Sequence, residues 1–411
     1  MKRNRLWTLI VAVIAVTGLA LIAGCRAQPR YTSLDIDLLP CERGIDTPRI
    51  FKAIEFREDG SHKYPEQIEE IKARIERAPQ PVTDLIVFTH GWNKNPKSTE
   101  FDYREFLCRL HTELEIVIGD RKRKGGLLII GVFWPSTITN RDREPVLIKP
   151  VSYYQIRARA DFIAEESMSR LFETLGESIR KASPLEELGP SSDVSPRLHV
   201  LGHSFGGRMT MRAMEQLNGE IEGDGTSKLV RFLTSTELIN VVLLNAAMPN
   251  ERFEWIDEAI GKARQIQQDT GVLVPARFTT STGSYLFNVH SEHDSANRVL
   301  FRMASMFNDD SSECAVGACG IPKYATLCVT DAGVVESIEP ARQPGDATTQ
   351  DILVWNANSG NIVFAHSDIY KGRVANLVSD LLYDEDLRCQ LNPECPGELP
   401  QVDACPVAKA P

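Results

Sequence analysis

Short continuous apolar runs recur along this chain. Most are followed by a longer segment with apolar residues at three- and four-residue spacing. The runs suit strands buried on both faces of a parallel sheet, and the longer segments suit helices with one buried face. Ile50–Phe56 alternates weakly and predicts an early strand; the charged stretch Tyr64–Pro81 predicts a surface helix. The apolar run within Asp84–Asn93 predicts a buried strand closing in His90-Gly91-Trp92. Ser98 is the expected N-cap of a helix to Ile118, with Phe106, Leu107, Leu110, Leu114 and Val117 on its apolar face. Gly126–Trp134 predicts the next strand, and Ser136–Val151 a polar loop. Ala164, Met168, Leu171, Phe172, Leu175 and Ile179 then define the buried face of a long helix over Tyr154–Lys181.

After the Pro/Ser-rich connection Ser183–Pro196, Leu198–Leu201 is apolar apart from His199 and predicts a strand. Arg208–Leu217 predicts the helix behind it. A loop (Asn218–Ser227), a strand (Leu238–Leu244), a helix (Glu251–Gln267) and a strand (Tyr285–His290) follow. Asn308–Cys328 is a cysteine-containing insertion and 331–350 is loop-like. Ile362–Ala365 is a last short strand ending in His366, and Asp368–Leu382 is a closing helix. Repeated alternation of strand and helix predicts an α/β fold: a doubly wound, mostly parallel sheet with helices on both faces. No internal repeat or composition break divides the chain. The expected organisation is a signal segment (1–24), a lead-in (25–81), one α/β domain (82–385, insertion near 308–330) and a Cys/Pro-rich tail (386–411).

Composition adds limits. With 411 residues, 42% hydrophobic and 25% charged, the chain has globular composition and length for a large core. A formal charge of -10 with no basic stripe excludes nucleic acid as a main partner. The first residues differ from the rest. Met1–Arg5 is basic, and Leu6–Ala23 is apolar apart from Thr8, Thr17 and Gly18. The run reads either as a spanning helix or as a signal peptide, and the small residues Ala23-Gly24 before Cys25 favour the second. Leu21-Ile22-Ala23-Gly24-Cys25 resembles the lipobox of bacterial lipoproteins. That resemblance implies cleavage before Cys25, acylation of its thiol and, with Arg26 next, the outer membrane. The body would then lie in the periplasm or at the cell surface. Removing Lys2, Arg3 and Arg5 takes the formal charge from -10 to -13, so lipid rather than charge would hold the body at the membrane.

Eight further cysteines remain: Cys41, Cys108, Cys314, Cys319, Cys328, Cys389, Cys395 and Cys405. An even number in loop-rich sequence outside the cytoplasm predicts disulfides. Cys108, in a helical pattern, is either a half-cystine or a buried thiol. Without Cys-x-x-Cys pairs and nearby histidines, the set predicts no metal site, and no Gly-rich phosphate loop calls for a cofactor.

The strongest chemical signal is Gly202-His203-Ser204-Phe205-Gly206, set between a predicted strand and a predicted helix. A reversal this tight forces the serine into a strained conformation and lifts its hydroxyl out of the sheet. Glycines two residues to either side remove Cβ atoms that would collide. A serine hydroxyl at neutral pH needs a base. His203 is on the same sharp turn and is expected to point elsewhere. His366 falls late in the chain, just past the last predicted strand, at the edge where ligands gather in α/β sheets.

His90-Gly91-Trp92, Gly202–Gly206, Asp294 and His366, in that order, resemble the α/β-hydrolase superfamily, with closest likeness to bacterial lipase- and esterase-like members. The resemblance covers about residues 82 to 382. It implies a serine hydrolase with nucleophile Ser204, base His366 and orienting acid Asp294; Glu292 and then Asp331 are the alternatives for the acid. It also implies an oxyanion hole from the backbone N–H groups of Trp92 and Phe205, with His90, Gly91, Gly202 and Gly206 supporting the loops. Trp92, Trp134 and Phe205 are candidates equally for a pocket wall and for core. The expected substrate is a small-molecule or lipid ester. A phospholipase, thioesterase or amidase, or a non-catalytic envelope binding protein on the same scaffold, are the rival readings.

Overall fold

A computed structural model of the protein describes residues 51–77, 82–92, 106–112, 126–138, 149–182, 197–233 apart from 222 and 224, 238–249, 285–301, 315–340 and 354–383. It also describes positions 253, 255, 256, 259, 387, 391, 400–402 and 404–406. The expected signal segment with Cys25 lies outside these residues, as do Cys41, Cys314, Cys389 and Cys395. Among the described residues no helix is long and apolar enough to cross a membrane.

Among the described residues, nine strands form one sheet: β1 (Phe51–Glu55), β2 (Val82–Thr89), β3 (Gly126–Phe133), β4 (Arg197–His203), β5 (Leu238–Leu244), β6 (Tyr285–His290), β7 (Thr326–Val329), β8 (Val335–Glu339) and β9 (Val354–Asn358). Their order is β1-β3-β2-β4-β5-β6-β9-β7-β8, and every pair is parallel except β7–β8. The helices are α1 (Pro65–Glu76), α2 (Lys149–Ile163), α3 (Ser169–Ala182), α4 (Phe205–Gly219), α5 (Lys228–Leu233), α6 (Val316–Cys319) and α7 (Gly372–Tyr383); residues 106–112 are also helical. The chain is therefore α/β, with a mostly parallel sheet.

The apolar runs become the sheet's interior because both faces of the central strands are covered. Leu85, Ile86, Val87, Phe88, Leu198, Val200 and Leu201 are all buried. His199, the polar interruption in β4, is buried opposite Asn240 of β5, whose Nδ2 donates to its Nδ1 at 3.0 Å. Tyr383 of α7 packs on the same histidine, and its hydroxyl donates to Asp84 at 2.9 Å. The long helix expected over Tyr154–Lys181 is present, interrupted by a π-helical turn at Ala164–Met168. Arg208 of α4 reaches back to this element and forks onto Asp161 at 2.6 and 2.8 Å, fixing α4 against α2.

Three expectations change. Ile362–Ala365 is a turn rather than a strand. Ile362 and Val363 are buried, so their apolar character anchors a loop, and the strand before His366 is Val354–Asn358. Within 331–350, residues 335–339 form a strand. The segment near 308–330 also contributes to the sheet: β7 pairs with β9 and with β8 at its edge. The tail closes this edge. Ile338 N donates to Pro400 O and Val402 N to Ile338 O, each at 2.9 Å, and Cys405 is disulfide-bonded to Cys328 of β7. Cys108 and Cys319 are disulfide-bonded as well, which settles Cys108 as a half-cystine.

Candidate active site

β2, β4, β5, β6 and β9 run in parallel, so their carboxyl ends share one edge, where such sheets place ligands. Each candidate residue follows one of these strands, Asp294 and His366 after short connections. His90-Gly91-Trp92 follows β2, Ser204 follows β4, Asp294 follows β6 and His366 follows β9.

Ser204 joins β4 directly to α4 with φ 55 and ψ −119. For a non-glycine residue this conformation costs about 1–3 kcal/mol, so its surroundings must hold it. Ser204 N donates to Leu244 O at 2.9 Å, and its carbonyl accepts from Ala247 N at 3.1 Å and Arg208 N at 3.2 Å. The flanking glycines are sterically required. A Cβ on Gly202 would lie 2.6 Å from Gly207 Cα, and one on Gly206 would lie 2.1 Å from Thr89 O.

The loop after β2 lies against this turn: a Cβ on Gly91 would sit 2.7 Å from Ser204 Cβ. His90 braces it from below. Trp134 N donates to His90 Nε2 at 3.3 Å, which leaves the proton on Nδ1, and Nδ1 donates to Gly91 O at 2.8 Å. Trp134 stacks on the imidazole and donates from Nε1 to His90 O at 2.9 Å. Trp134 is thus a buried brace, and Phe205 is buried too. Trp92 is half-buried and meets the rings of Phe205 and Tyr153 edge-on. Among the described residues, no protein acceptor engages the main-chain N–H of Trp92 or of Phe205.

His366, Asp294 and Ser204 come together although 162 residues separate the outer two. His366 Nδ1 donates to Asp294 Oδ2 at 2.7 Å, and Ser204 Oγ donates to His366 Nε2 at 2.8 Å. The carboxylate is fully buried, while the His366 side chain is 27% exposed. The alternative acids are not placed this way. Glu292 is exposed, and Asp331 is exposed in the turn between β7 and β8. His203 points away from the hydroxyl. Its Nε2 donates to His366 O at 3.1 Å, and Tyr370 donates its hydroxyl proton to Nδ1 at 3.1 Å.

One residue that the sequence reading missed is part of this arrangement. Asn297 N donates to Asp294 Oδ1 at 3.0 Å, and its side-chain amide donates to Asp294 Oδ2 at 3.0 Å and to Asn245 O at 2.6 Å. The signal available was an Asp-x-x-Asn spacing at the end of a strand, the pattern of a side-chain cap.

Chemically, a hydroxyl, an imidazole and a buried carboxylate hydrogen-bonded in series form a proton relay with a nucleophile at its end. Comparison of the chain with protein-family models, curated proteins and solved structures finds no match.

Proposed function

We propose that the protein is a serine hydrolase of the α/β-hydrolase type that cleaves carboxylic esters through an acyl-enzyme. The single observation carrying this reading is the Ser204–His366–Asp294 relay, with contacts of 2.8 and 2.7 Å and a fully buried acid. A surface ion pair would not need that burial, and a capping serine would not need the strained backbone.

In this mechanism Ser204 Oγ attacks the ester carbonyl carbon while its proton passes to His366 Nε2. The carbonyl oxygen becomes an oxyanion, which receives hydrogen bonds from Trp92 N and Phe205 N. Each such donor is typically worth about 3–4 kcal/mol. The C–O bond then breaks, and the leaving alkoxide takes the proton from His366. Water next gives a proton to Nε2 and attacks the acyl carbon, and the acid departs as Ser204 recovers its proton. Asp294 stays ionised, holding the proton on Nδ1 and stabilising the imidazolium. The aromatic edge of Trp92 beside this site favours an acyl or aryl group over a sugar phosphate.

The lipobox-like stretch ending at Cys25 supports placing the enzyme in a bacterial cell envelope on a lipid anchor. Disulfides at Cys108, Cys319 and Cys328–Cys405 fit an oxidising compartment. Turnover of a short-to-long acyl nitrophenyl ester series tests the activity. Wild type should cleave part of the series and Ser204→Ala none of it; equal turnover by the two would end this reading.

A further inference from the structure

We infer that Asn297 is a positioning residue for the reaction, acting through Asp294. The inference rests on the hydrolase reading above.

Asp294 is fully buried, so both carboxylate oxygens need protein donors. Oδ1 accepts from the main-chain N–H of Asn297. Oδ2 accepts from His366 Nδ1 and also from the side-chain amide of Asn297. The amide's other contact is Asn245 O at 2.6 Å. Asn245 sits at φ 48, a conformation that asparagine tolerates better than most residues. It directly follows Leu244, whose carbonyl accepts the main-chain N–H of Ser204. The bonds therefore close a circuit. It runs from Ser204 N through Leu244 and Asn245 to Asn297, Asp294 and His366, and returns to Ser204 Oγ. The Asn297 side chain couples the acid to the strand end beside Ser204.

The plainer reading makes Asn297 only part of a helix cap. That role needs the main-chain N–H alone and survives replacement of the side chain. The side-chain amide has a separate effect. With both oxygens held, the carboxylate cannot rotate away from His366, and the imidazole keeps its angle to Ser204.

The test compares Asn297→Ala, Asn297→Asp and Leu377→Ala with wild type on a nitrophenyl ester, across pH, with thermal midpoints measured in parallel. Leu377 is buried in α7 and serves as a destabilised control. Asn297→Ala should lower kcat about 10- to 100-fold, the size of one charge-assisted hydrogen bond, and leave KM nearly unchanged. Asn297→Asp sets two carboxylates together, which share a proton at low pH and repel when it is lost. Its deficit should therefore widen as pH rises, while Glu292, His293 and Arg298 nearby are the same as in wild type. Wild-type kcat in both variants, or losses that are independent of pH and follow the thermal midpoint as in Leu377→Ala, would overturn the inference. Ser204→Ala runs alongside: if it turns over normally, the hydrolase reading fails and takes this inference with it.

Discussion

His203 Nε2 donates to the main-chain carbonyl of His366 at 3.1 Å, so the histidine next to Ser204 in sequence holds the backbone of the histidine that bonds the Ser204 hydroxyl. Two histidines whose rings lie 4.8 Å apart thus have separate tasks. His366→Gln should cut kcat by at least about 10⁴-fold, as removal of a triad base does. His203→Gln should cost no more than about tenfold, the scale of one hydrogen bond. Steady-state kinetics of the two variants checks the assignment; the reverse order would exchange their roles.

The acid is tested in the same way. Asp294→Asn keeps the shape but cannot hold the proton on Nδ1, so kcat should fall about 10⁴-fold. Glu292→Gln, at an exposed position, should leave kcat within about twofold. Glu292→Gln should unfold near the wild-type temperature, while Asp294→Asn replaces a buried acceptor of the Asn297 donors and should lose about 1–3 kcal/mol, so kcat is compared at a temperature where both variants are folded.

The turn around Ser204 allows no extra atoms. Gly206→Ala would place a Cβ 2.1 Å from Thr89 O, against backbone that cannot move independently of β2. The expected cost exceeds about 4 kcal/mol, seen as loss of soluble folded protein. Gly219→Ala, where a Cβ would meet nothing within 4 Å, should fold normally.

Ser204 and Asp294 were expected past the ends of apolar runs, and the structure has them past β4 and β6, because those strands carry a local signature of apolar run then break. The strand preceding His366 was less visible. Val354–Asn358 contains Asn356, whose polarity argues against a buried strand. Its amide is consumed by Ile321 and Tyr324, contacts made only in the folded chain. Ile362–Ala365 gave the opposite error, with apolar residues that plug a turn. β8 was missed because its partners, β7 and the tail at 400–402, are set by tertiary pairing and by a disulfide spanning 77 residues. Asn297 belongs to the same class: its value lies in contacts with Asn245 and Asp294, and spacing alone does not reveal the first.

That disulfide secures the sheet edge. Replacing both Cys328 and Cys405 with serine should destabilise the protein by about 4.5 kcal/mol on the chain-entropy account. The loss should begin locally. Amide exchange should rise first at Ile338 and Val402, whose N–H groups pair edge and tail, and last in β4. Uniform acceleration across the sheet would show that the tail is not a separate unit.

The proposed mechanism makes Ser204 a nucleophile activated by His366. The direct measurement is reaction with a fluorophosphonate, followed by intact mass and peptide mapping. Wild type should carry a single adduct on Ser204, His366→Gln should label slowly or not at all, and Ser204→Ala should not label. Labelling of Ser204→Ala at the wild-type rate, or an adduct on another residue, would contradict that mechanism.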